Sequence, residues 1–186
     1  MALDQPPADE NQLRRSFEAR LPEMLKRAKQ VKLQAVIPAH WFSAAASECA
    51  GMYVSGYFYG AISVAQAYVE ALAVYLADTH SVRRTKKPAD LWHRLCREKM
   101  VTKRCADAAL TILDDRNDFH HLNKDIETDF ATLEQRAESA IEHIHKVESE
   151  IFACSPSDQA GVIELKNPSY WPSDTPGLAQ IHLRSL

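Results

Sequence analysis

Hydrophobic residues recur at helical spacing between residues 13 and 35, with gaps of three and four that are typical of an amphipathic helix. The stripe consists of Leu13, Phe17, Leu21, Met24, Ala28, Val31 and Ala35. Pro22 should kink or restart this helix, because proline lacks the N–H donor, and Pro38 should end it. The opposite face is basic and contains Arg14, Arg15, Arg20, Lys26, Arg27, Lys29 and Lys32. Such a face is typical either of a surface exposed to solvent or of a contact surface for an anionic partner.

The most apolar segment, residues 57–77, predicts a helix that is buried on all sides or a membrane span. Ser63, Gln66 and Glu70 lie on one side of it, at spacings of three and four. A carboxylate in the middle of a membrane span is costly, so we expect a core helix whose polar stripe faces a special environment. Glu70 then either has a buried cationic partner or reaches solvent at the edge of a bundle.

Further helical segments surround this central one. Residues 40–54 predict a short helix ending near Gly51, and residues 79–89 a basic loop. Asp90 is placed to cap a short helix that runs through Lys99, and Thr102 to cap the next. The helix after Thr102 has the stripe Cys105, Ala109, Ile112, Arg116 and Phe119.

A long amphipathic helix should open at Asn123 or Asp125 and end at Cys154. Its buried face is predicted to contain Ile126, Phe130, Leu133, Ala137, Ala140, Ile144, Val147 and Ile151. The remainder cannot form a long helix, because prolines interrupt it at residues 156, 168, 172 and 176. Residues 162–165 should form a short strand or an extended arm, which Tyr170 and Trp171 would anchor on the bundle or on a second subunit.

Together these segments predict an all-α, up-and-down bundle of four to five helices with an extended proline-rich C-terminal tail. Residues 1–11 are expected to be disordered, residues 12–153 to form the bundle, and residues 154–186 to form the arm.

Composition narrows the class of protein. A length of 186 residues suits one domain with a substantial core. A net charge of -3 argues against a protein that binds nucleic acid over its whole surface, although it is compatible with a local basic groove. The four cysteines form no CxxC pair, and the first residues lack a signal-peptide pattern. We therefore expect reduced thiols, a cytoplasmic location and no membrane anchor.

Candidate chemistry concentrates in residues 114–123, where three aspartates, an arginine and two histidines fall within eight positions. Arginine binds phosphate oxygens through a rigid fork of donors, and histidine exchanges protons near neutral pH. Arg116 lies on an apolar stripe, so it should be partly buried and paired with a carboxylate, for which Glu70 is the candidate. The alternative interpretation is that this stretch is a charged helix end exposed to solvent, with no functional role.

The two histidines of this stretch separate on an ideal helix. His120 would lie almost directly above Arg116, whereas His121 would lie about 140° round from it. His121 can approach the guanidinium only if the helix ends or bends here, or if the site forms between two chains.

Other kinds of site have weaker support. His120, His121, His143 and His145 show no i, i+4 pair, which argues against a metal site. No cysteine has a neighbour that would lower its pKa, and the chain has neither a phosphate-binding glycine loop nor a GxSxG motif. We therefore expect no metal and no cofactor.

Residues 116–121 fit the RxxxxH motif of HEPN domains, with Asn117 as the polar residue that often follows the arginine. An alanine-rich helix at residues 60–71 precedes the motif, and a long amphipathic helix follows it, as in those domains. The chain resembles the HEPN superfamily over about residues 56–152.

This resemblance implies a metal-independent endoribonuclease, toxin- or defence-related, whose two subunits bring their motifs together in a cleft. Arg116 would hold the scissile phosphate, His121 would transfer protons, and Asn117 would support the geometry. His120, Asp118 and Glu70 would be supporting residues. A homodimer, RNA and an antitoxin protein are the partners it implies.

Two further readings of the residues stay open. One is a non-catalytic helical interaction module in which Arg116 and Glu70 form a structural ion pair. The other is a small-molecule or nucleotide pocket beside Ser63, Gln66 and Glu70.

Overall fold

The computed structural model describes residues 9–34, 36–37, 40–114, 116–120, 129–158, 163–171 and 182–183. It confirms the all-α bundle. Its helices are α1 (Glu10–Gln30), α2 (His40–Ser55), α3 (Phe58–Thr79), α4 (Pro88–Arg97), α5 (Lys103–Leu113), α6 (Arg116–His120) and α7 (Phe130–Ile151). Its short strands are β1 (Val36–Ile37), β2 (Cys154–Pro156), β3 (Ile163–Leu165) and β4 (His182–Leu183), and a 3-10 helix spans Pro168–Tyr170.

Helix α3 is the centre of the bundle, as its apolar sequence predicts. It packs against α2, α4, α5, α6 and α7. By length and composition it could cross a membrane, but 56% of its most apolar window is buried inside the bundle. The turn before it depends on Gly56, whose φ of 81° few other residues adopt. Gly51 does not end α2, which continues to Ser55.

Helix α1 departs from the prediction. It continues through Pro22 without a restart, begins at Glu10 with Asp9 as its N-cap, and ends at Gln30, well before Pro38. Its apolar stripe was expected to face the core, yet Leu13 and Phe17 are 60% and 54% exposed. Arg27, expected on the outer face, is the buried residue of this helix. Its Nε donates to Glu134 Oε1 at 2.7 Å, and its guanidinium lies over the Phe58 ring.

The boundaries of the later helices differ from the predicted ones in part. Thr102 caps α5 as expected, since its Oγ1 accepts from the Cys105 N–H at 3.2 Å. Helix α4 begins at Pro88, one residue after its N-cap Lys87, so Asp90 lies in its first turn rather than capping it. The long helix α7 begins at Phe130 and is capped by Asp129, whose side chain accepts from the Thr132 N–H at 2.9 Å. Asn123, Asp125 and Ile126 lie outside the described residues.

Part of the C-terminal arm packs on the bundle. Strands β2 and β3 pair antiparallel, which confirms an extended segment near residues 162–165, and β1 pairs with β4. Tyr170 and Trp171 are buried on the chain's own bundle. Tyr75 donates its hydroxyl hydrogen to the Tyr170 carbonyl at 2.6 Å, and the Trp171 ring meets Phe152 edge-on. The predicted anchoring role of both aromatics is therefore confirmed on the bundle.

A buried carboxylate on α7 joins three parts of the fold. Glu148 is fully buried, and its Oε1 accepts from the Tyr68 hydroxyl of α3 at 2.7 Å. Its Oε2 accepts from the Gln34 backbone N–H at 3.2 Å, in the segment that links α1 to β1. A buried charge without such partners would destabilise the fold, so these hydrogen bonds fix the position of that segment.

We expect Tyr68→Phe to lower the free energy of unfolding by about 1.5–3 kcal/mol, because the buried carboxylate loses a charge-assisted donor. Urea denaturation monitored by circular dichroism measures the change. Tyr57→Phe is the matched control, because Tyr57 is 61% exposed and should tolerate the substitution. Equal stability of the two variants would contradict a role for the Tyr68 hydroxyl.

Candidate functional site

Helix α6, which contains Arg116, is held against α3 by three α3 side chains. The Tyr59 hydroxyl donates to the Phe119 carbonyl at 2.7 Å, and Gln66 Nε2 donates to the Asp114 carbonyl at 3.3 Å. Glu70 binds Arg116 directly. Because the three residues lie on one face of α3, they anchor the beginning, the middle and the end of the segment that includes α6.

The ion pair between Glu70 and Arg116 confirms the pairing inferred from the sequence. Arg116 Nε donates to Glu70 Oε1, and Arg116 Nη2 donates to Glu70 Oε2 at 3.2 Å. The hydrogen bonds with the carboxylate raise the pKa of Arg116 above its ordinary value, outweighing the opposite effect of burial. The side chains are 32% and 23% exposed, so this pair lies at the edge of the core rather than deep inside it.

The helix is interrupted immediately before the motif. Helix α5 ends at Leu113, and its C-cap Asp114 has an extended ψ of 140°. Arg116 then starts α6, a separate helix of five residues. This described break lies before Arg116; the end or bend near His121 that an approach of His121 to Arg116 within one chain would require falls at residues outside the described ranges.

The guanidinium of Arg116 lies at an open cleft of about 640 Å³ between α3, α6 and the loop that precedes α4. That loop supplies two exposed lysines, Lys86 and Lys87. Together with Arg116 they give the lining three cationic groups, against the carboxylates of Glu70 and Asp118. The lining therefore carries a net charge of +1 when all five groups are ionised (three minus two), in a chain whose net charge is -3.

A second cleft, of about 360 Å³, lies on the other side of the turn at Asp114. Gln66 lines this cleft and Glu70 lines the first, so these two residues of the hypothesised pocket beside Ser63, Gln66 and Glu70 do not share a cleft. The Ser63 hydroxyl donates to the Tyr59 carbonyl of its own helix. Among the described residues Gln66 Oε1 has no hydrogen-bond partner, and it is buried from solvent.

The structure therefore brings together part of the predicted site. Arg116, Glu70 and Asp118 share the first cleft, and Asn117 and His120 belong to α6. His121 and Asp115 lie outside the described residues, so the predicted role of His121 stays a prediction. His143 is on α7, where its Nδ1 donates to the Ser139 carbonyl at 2.7 Å. No group of three or more metal-ligating side chains occurs within the described ranges.

Some residues of the site were not identified as such from the sequence. Tyr59 anchors the end of α6, and it lies seven residues before Gln66, on the same face of α3. Extending the polar stripe of α3 by one turn beyond Ser63 would have found it. Lys86 and Lys87 were recognised only as part of a basic loop, because their approach to Arg116 depends on the path of the chain between α3 and α4.

Comparison with known proteins does not place the chain in a family. It matches no protein-family model, no curated protein and no solved structure.

The four cysteines should fall into two groups that differ in reactivity toward thiol reagents. Burial, with a smaller contribution from Glu148, raises the pKa of the Cys49 thiol to about 12, and burial also raises the pKa of Cys105. At pH 8 the thiolate fraction of Cys49 is then about 1000-fold below that of an ordinary thiol. Ellman's reagent should label the half-buried Cys96 and Cys154 in the native protein, and the other two only after unfolding. Rapid labelling of four thiols at pH 8 would contradict this burial.

Proposed function

We propose that this protein is a metal-independent endoribonuclease of the HEPN type, toxin- or defence-related, which cleaves RNA at a site completed by two copies of the chain. One observation carries the proposal. The guanidinium of Arg116 is held in a fixed orientation by Glu70, at a cleft that also contains two exposed lysines. A pre-oriented cation with neighbouring positive charge suits the binding of a phosphodiester.

Arg116 has a donor left for a substrate. Glu70 accepts from its Nε and Nη2, and Nη1 donates no hydrogen bond to any of the described residues. Nη1 can therefore donate to a non-bridging phosphate oxygen while Glu70 holds the guanidinium plane. Such a donor stabilises the additional negative charge that develops on the phosphoryl oxygens in the transition state, without reorganisation during the reaction.

His121 is the proposed proton-transfer group. It takes the proton of a ribose 2′-hydroxyl, whose oxygen attacks the adjacent phosphorus and breaks the bond to the 5′-oxygen of the next nucleotide. The leaving 5′-oxygen gains a proton, and the products are a 2′,3′-cyclic phosphate and a 5′-hydroxyl. Asn117 supports the geometry of the site in this proposal. The step needs no metal, because the arginine supplies the positive charge.

The local charge balance supports binding of an anion. Asp118 opposes an incoming phosphate, but Lys86 and Lys87 line the same cleft and outnumber it. Glu70 is already neutralised by its ion pair with Arg116. Long-range repulsion from a chain of net charge -3 is screened over about 8 Å at physiological salt, so the local charges decide.

The purified protein should cleave single-stranded RNA in the presence of EDTA. Arg116→Ala should lower the rate by about 100- to 1000-fold, because one donor to the developing charge is lost. His121→Ala should lower it by about 100- to 10,000-fold, because general acid–base catalysis is lost. A fluorogenic oligoribonucleotide measures these rates, and gel analysis identifies the cyclic phosphate.

The matched controls are Arg84→Ala, which removes an arginine from the exposed pair with Asp78, and His93→Ala on the exposed surface of α4. Both controls should retain the wild-type rate. Cleavage that persists in the Arg116 and His121 variants would identify a contaminating ribonuclease. RNA that stays intact with the wild-type protein would contradict the proposal.

A second candidate function is a non-catalytic interaction module. The observation that favours it is the two-point contact between Glu70 and Arg116, which uses two of the three guanidinium nitrogens. In that case the ion pair serves only to attach α6 to α3, and the cleft binds no substrate.

Substitution by apolar residues of similar length separates the two functions. Glu70→Met and Arg116→Met should each lower the free energy of unfolding by about 1–3 kcal/mol, because each leaves a partly buried charge unpaired. The double variant should recover most of this loss, as urea denaturation will measure. A double variant as unstable as the single ones would contradict the importance of the pair. A stable double variant that has lost a wild-type ribonuclease activity supports catalysis, whereas inactive wild-type protein supports the module.

A further inference from the structure

The bundle leaves large apolar side chains of α1 uncovered. Residues 9–23 are all exposed, and Arg27 is the buried residue of the helix. Four apolar side chains spaced by four residues form what we call the apolar row. It consists of Leu13 at 60% exposure, Phe17 at 54%, Leu21 at 37% and Leu25 at 54%. Such a row of large apolar side chains in solvent is typical of an interaction surface.

The bundle holds α1 by a different face. Arg27 is paired with Glu134, and Gln30 accepts from the Tyr53 hydroxyl at 2.9 Å. On a helical projection these two attachments lie roughly 130° round from the middle of the apolar row. A surface laid against the row therefore approaches from the side away from the bundle, and the bundle does not obstruct it.

A basic flank follows the apolar row on its outer side, between about 60° and 180° round the helix from Phe17. Glu18 is the only acidic residue of α1 within that arc. The helix Glu10–Gln30 as a whole has a net charge of +3 (six minus three), or +2 (five minus three) without Arg27, which Glu134 neutralises. The exposed part of α1 therefore attracts an anionic partner. The basic side chains of the flank are Arg14, Arg15, Lys26 and Lys29.

The contacts of these basic side chains within the chain are weak. Arg14 lies 3.9 Å from Glu10, and Lys26 lies 4.0 Å from Glu23. In both pairs the two side chains are at least 60% exposed. Exposed pairs of this kind contribute little free energy, so they leave the cations accessible to another anion.

Aromatic side chains of the bundle border the apolar row. Arg20 lies one turn after Phe17, and its guanidinium is 5.5 Å from the centroid of the Tyr57 ring. The Phe130 ring lies 4.0 Å from the Cβ position of the neighbouring Gly56. Tyr57 and Phe130 are 61% and 59% exposed. The exposed apolar surface therefore continues from α1 onto the bundle, with a tyrosine at its edge, as is typical of the boundary between water and lipid.

We propose that α1 docks the protein on an anionic lipid surface. The helix lies in the plane of the interface, with the apolar row against the acyl chains and the basic flank at the headgroup phosphates. Basic amphipathic helices bind such surfaces through burial of their apolar face and attraction to anionic headgroups. Because apolar side chains occupy one face only, α1 lies on the surface and does not span it. This property goes beyond the proposed ribonuclease activity and does not rest on it.

The width of the apolar row favours lipid over a single partner helix. Each member lies about 40° further round the helix than the one before it, so the four together cover an arc of about 120°. A packed helix contacts a narrower seam, whereas a helix embedded in a lipid interface has the whole arc covered. RNA would neutralise the basic flank but would leave the apolar row in water.

Co-sedimentation of the full chain with vesicles tests the proposal. Wild-type protein should bind vesicles of three parts phosphatidylcholine to one part phosphatidylglycerol at least about tenfold more tightly than vesicles of phosphatidylcholine alone. The reason is that each cation near an anionic surface contributes about fivefold in affinity. Salt at about 1 M, where the screening length is about 3 Å, should remove most of this preference.

A substitution in the apolar row tests which face binds. Phe17→Glu should weaken binding to the anionic vesicles by more than about tenfold, because a carboxylate would be placed among acyl chains. Trp41→Glu is the matched control, since Trp41 is a 53% exposed aromatic residue on α2, and it should bind as the wild type does. A thermal melt of each variant checks that the bundle remains folded.

Removal of charge tests the basic flank. Arg14→Gln combined with Lys29→Gln should weaken binding to the anionic vesicles by about tenfold or more, and should leave binding to neutral vesicles unchanged. Arg97→Gln combined with Arg104→Gln removes the same charge from exposed positions on α4 and α5. This control should retain binding within about twofold of wild type, because those arginines would not face the lipid.

Fluorescence quenching tests the depth of the helix. The three native tryptophans lie outside α1, so Phe17→Trp places a reporter in the apolar row. Vesicles that contain brominated phosphatidylcholine should quench this variant and should not quench the wild-type chain.

Wild-type protein that does not bind anionic vesicles, a Phe17→Glu variant that binds as tightly as wild type, or a Phe17→Trp variant without quenching would each overturn the proposal. Association of α1 with an oligoribonucleotide or with a second copy of the chain, in place of vesicles, would overturn it as well. Because vesicle binding is measured without RNA, its failure is distinct from failure of the ribonuclease proposal.

Discussion

The structure depends on a conflict within α3, which is buried on nearly all sides and yet contains Gln66 and Glu70. Burial of a polar group costs free energy unless the group is hydrogen-bonded. The segment around α6 supplies the partners, through the Asp114 carbonyl and the Arg116 guanidinium. The contacts that satisfy Gln66 Nε2 and the Glu70 carboxylate therefore also fix the orientation of the only arginine in the motif. Stability and candidate chemistry rest on one set of hydrogen bonds.

Two other polar contacts organise the fold in the same way. Glu148 of α7 binds the Tyr68 hydroxyl and the chain between α1 and β1, and Arg27 of α1 binds Glu134 of α7. Each joins elements that are far apart in sequence. Because a buried or half-buried charge is costly without its partner, such contacts select one arrangement of the helices from several that apolar packing alone would allow.

The sequence by itself determined the helical class, the central apolar helix predicted over residues 57–77, the cap at Thr102 and the pairing of Glu70 with Arg116. These features follow from local periodicity and from the cost of burying a charge, both of which can be evaluated from residue order. Only the tertiary structure decided that α1 turns its apolar stripe outward and buries Arg27, because that depends on the position of Glu134 more than a hundred residues later. It also decided that Lys86 and Lys87 line the same cleft as Arg116, and that the helix breaks before the motif. Periodicity identifies the face of a helix that is apolar, whereas long-range partners determine the face that packs.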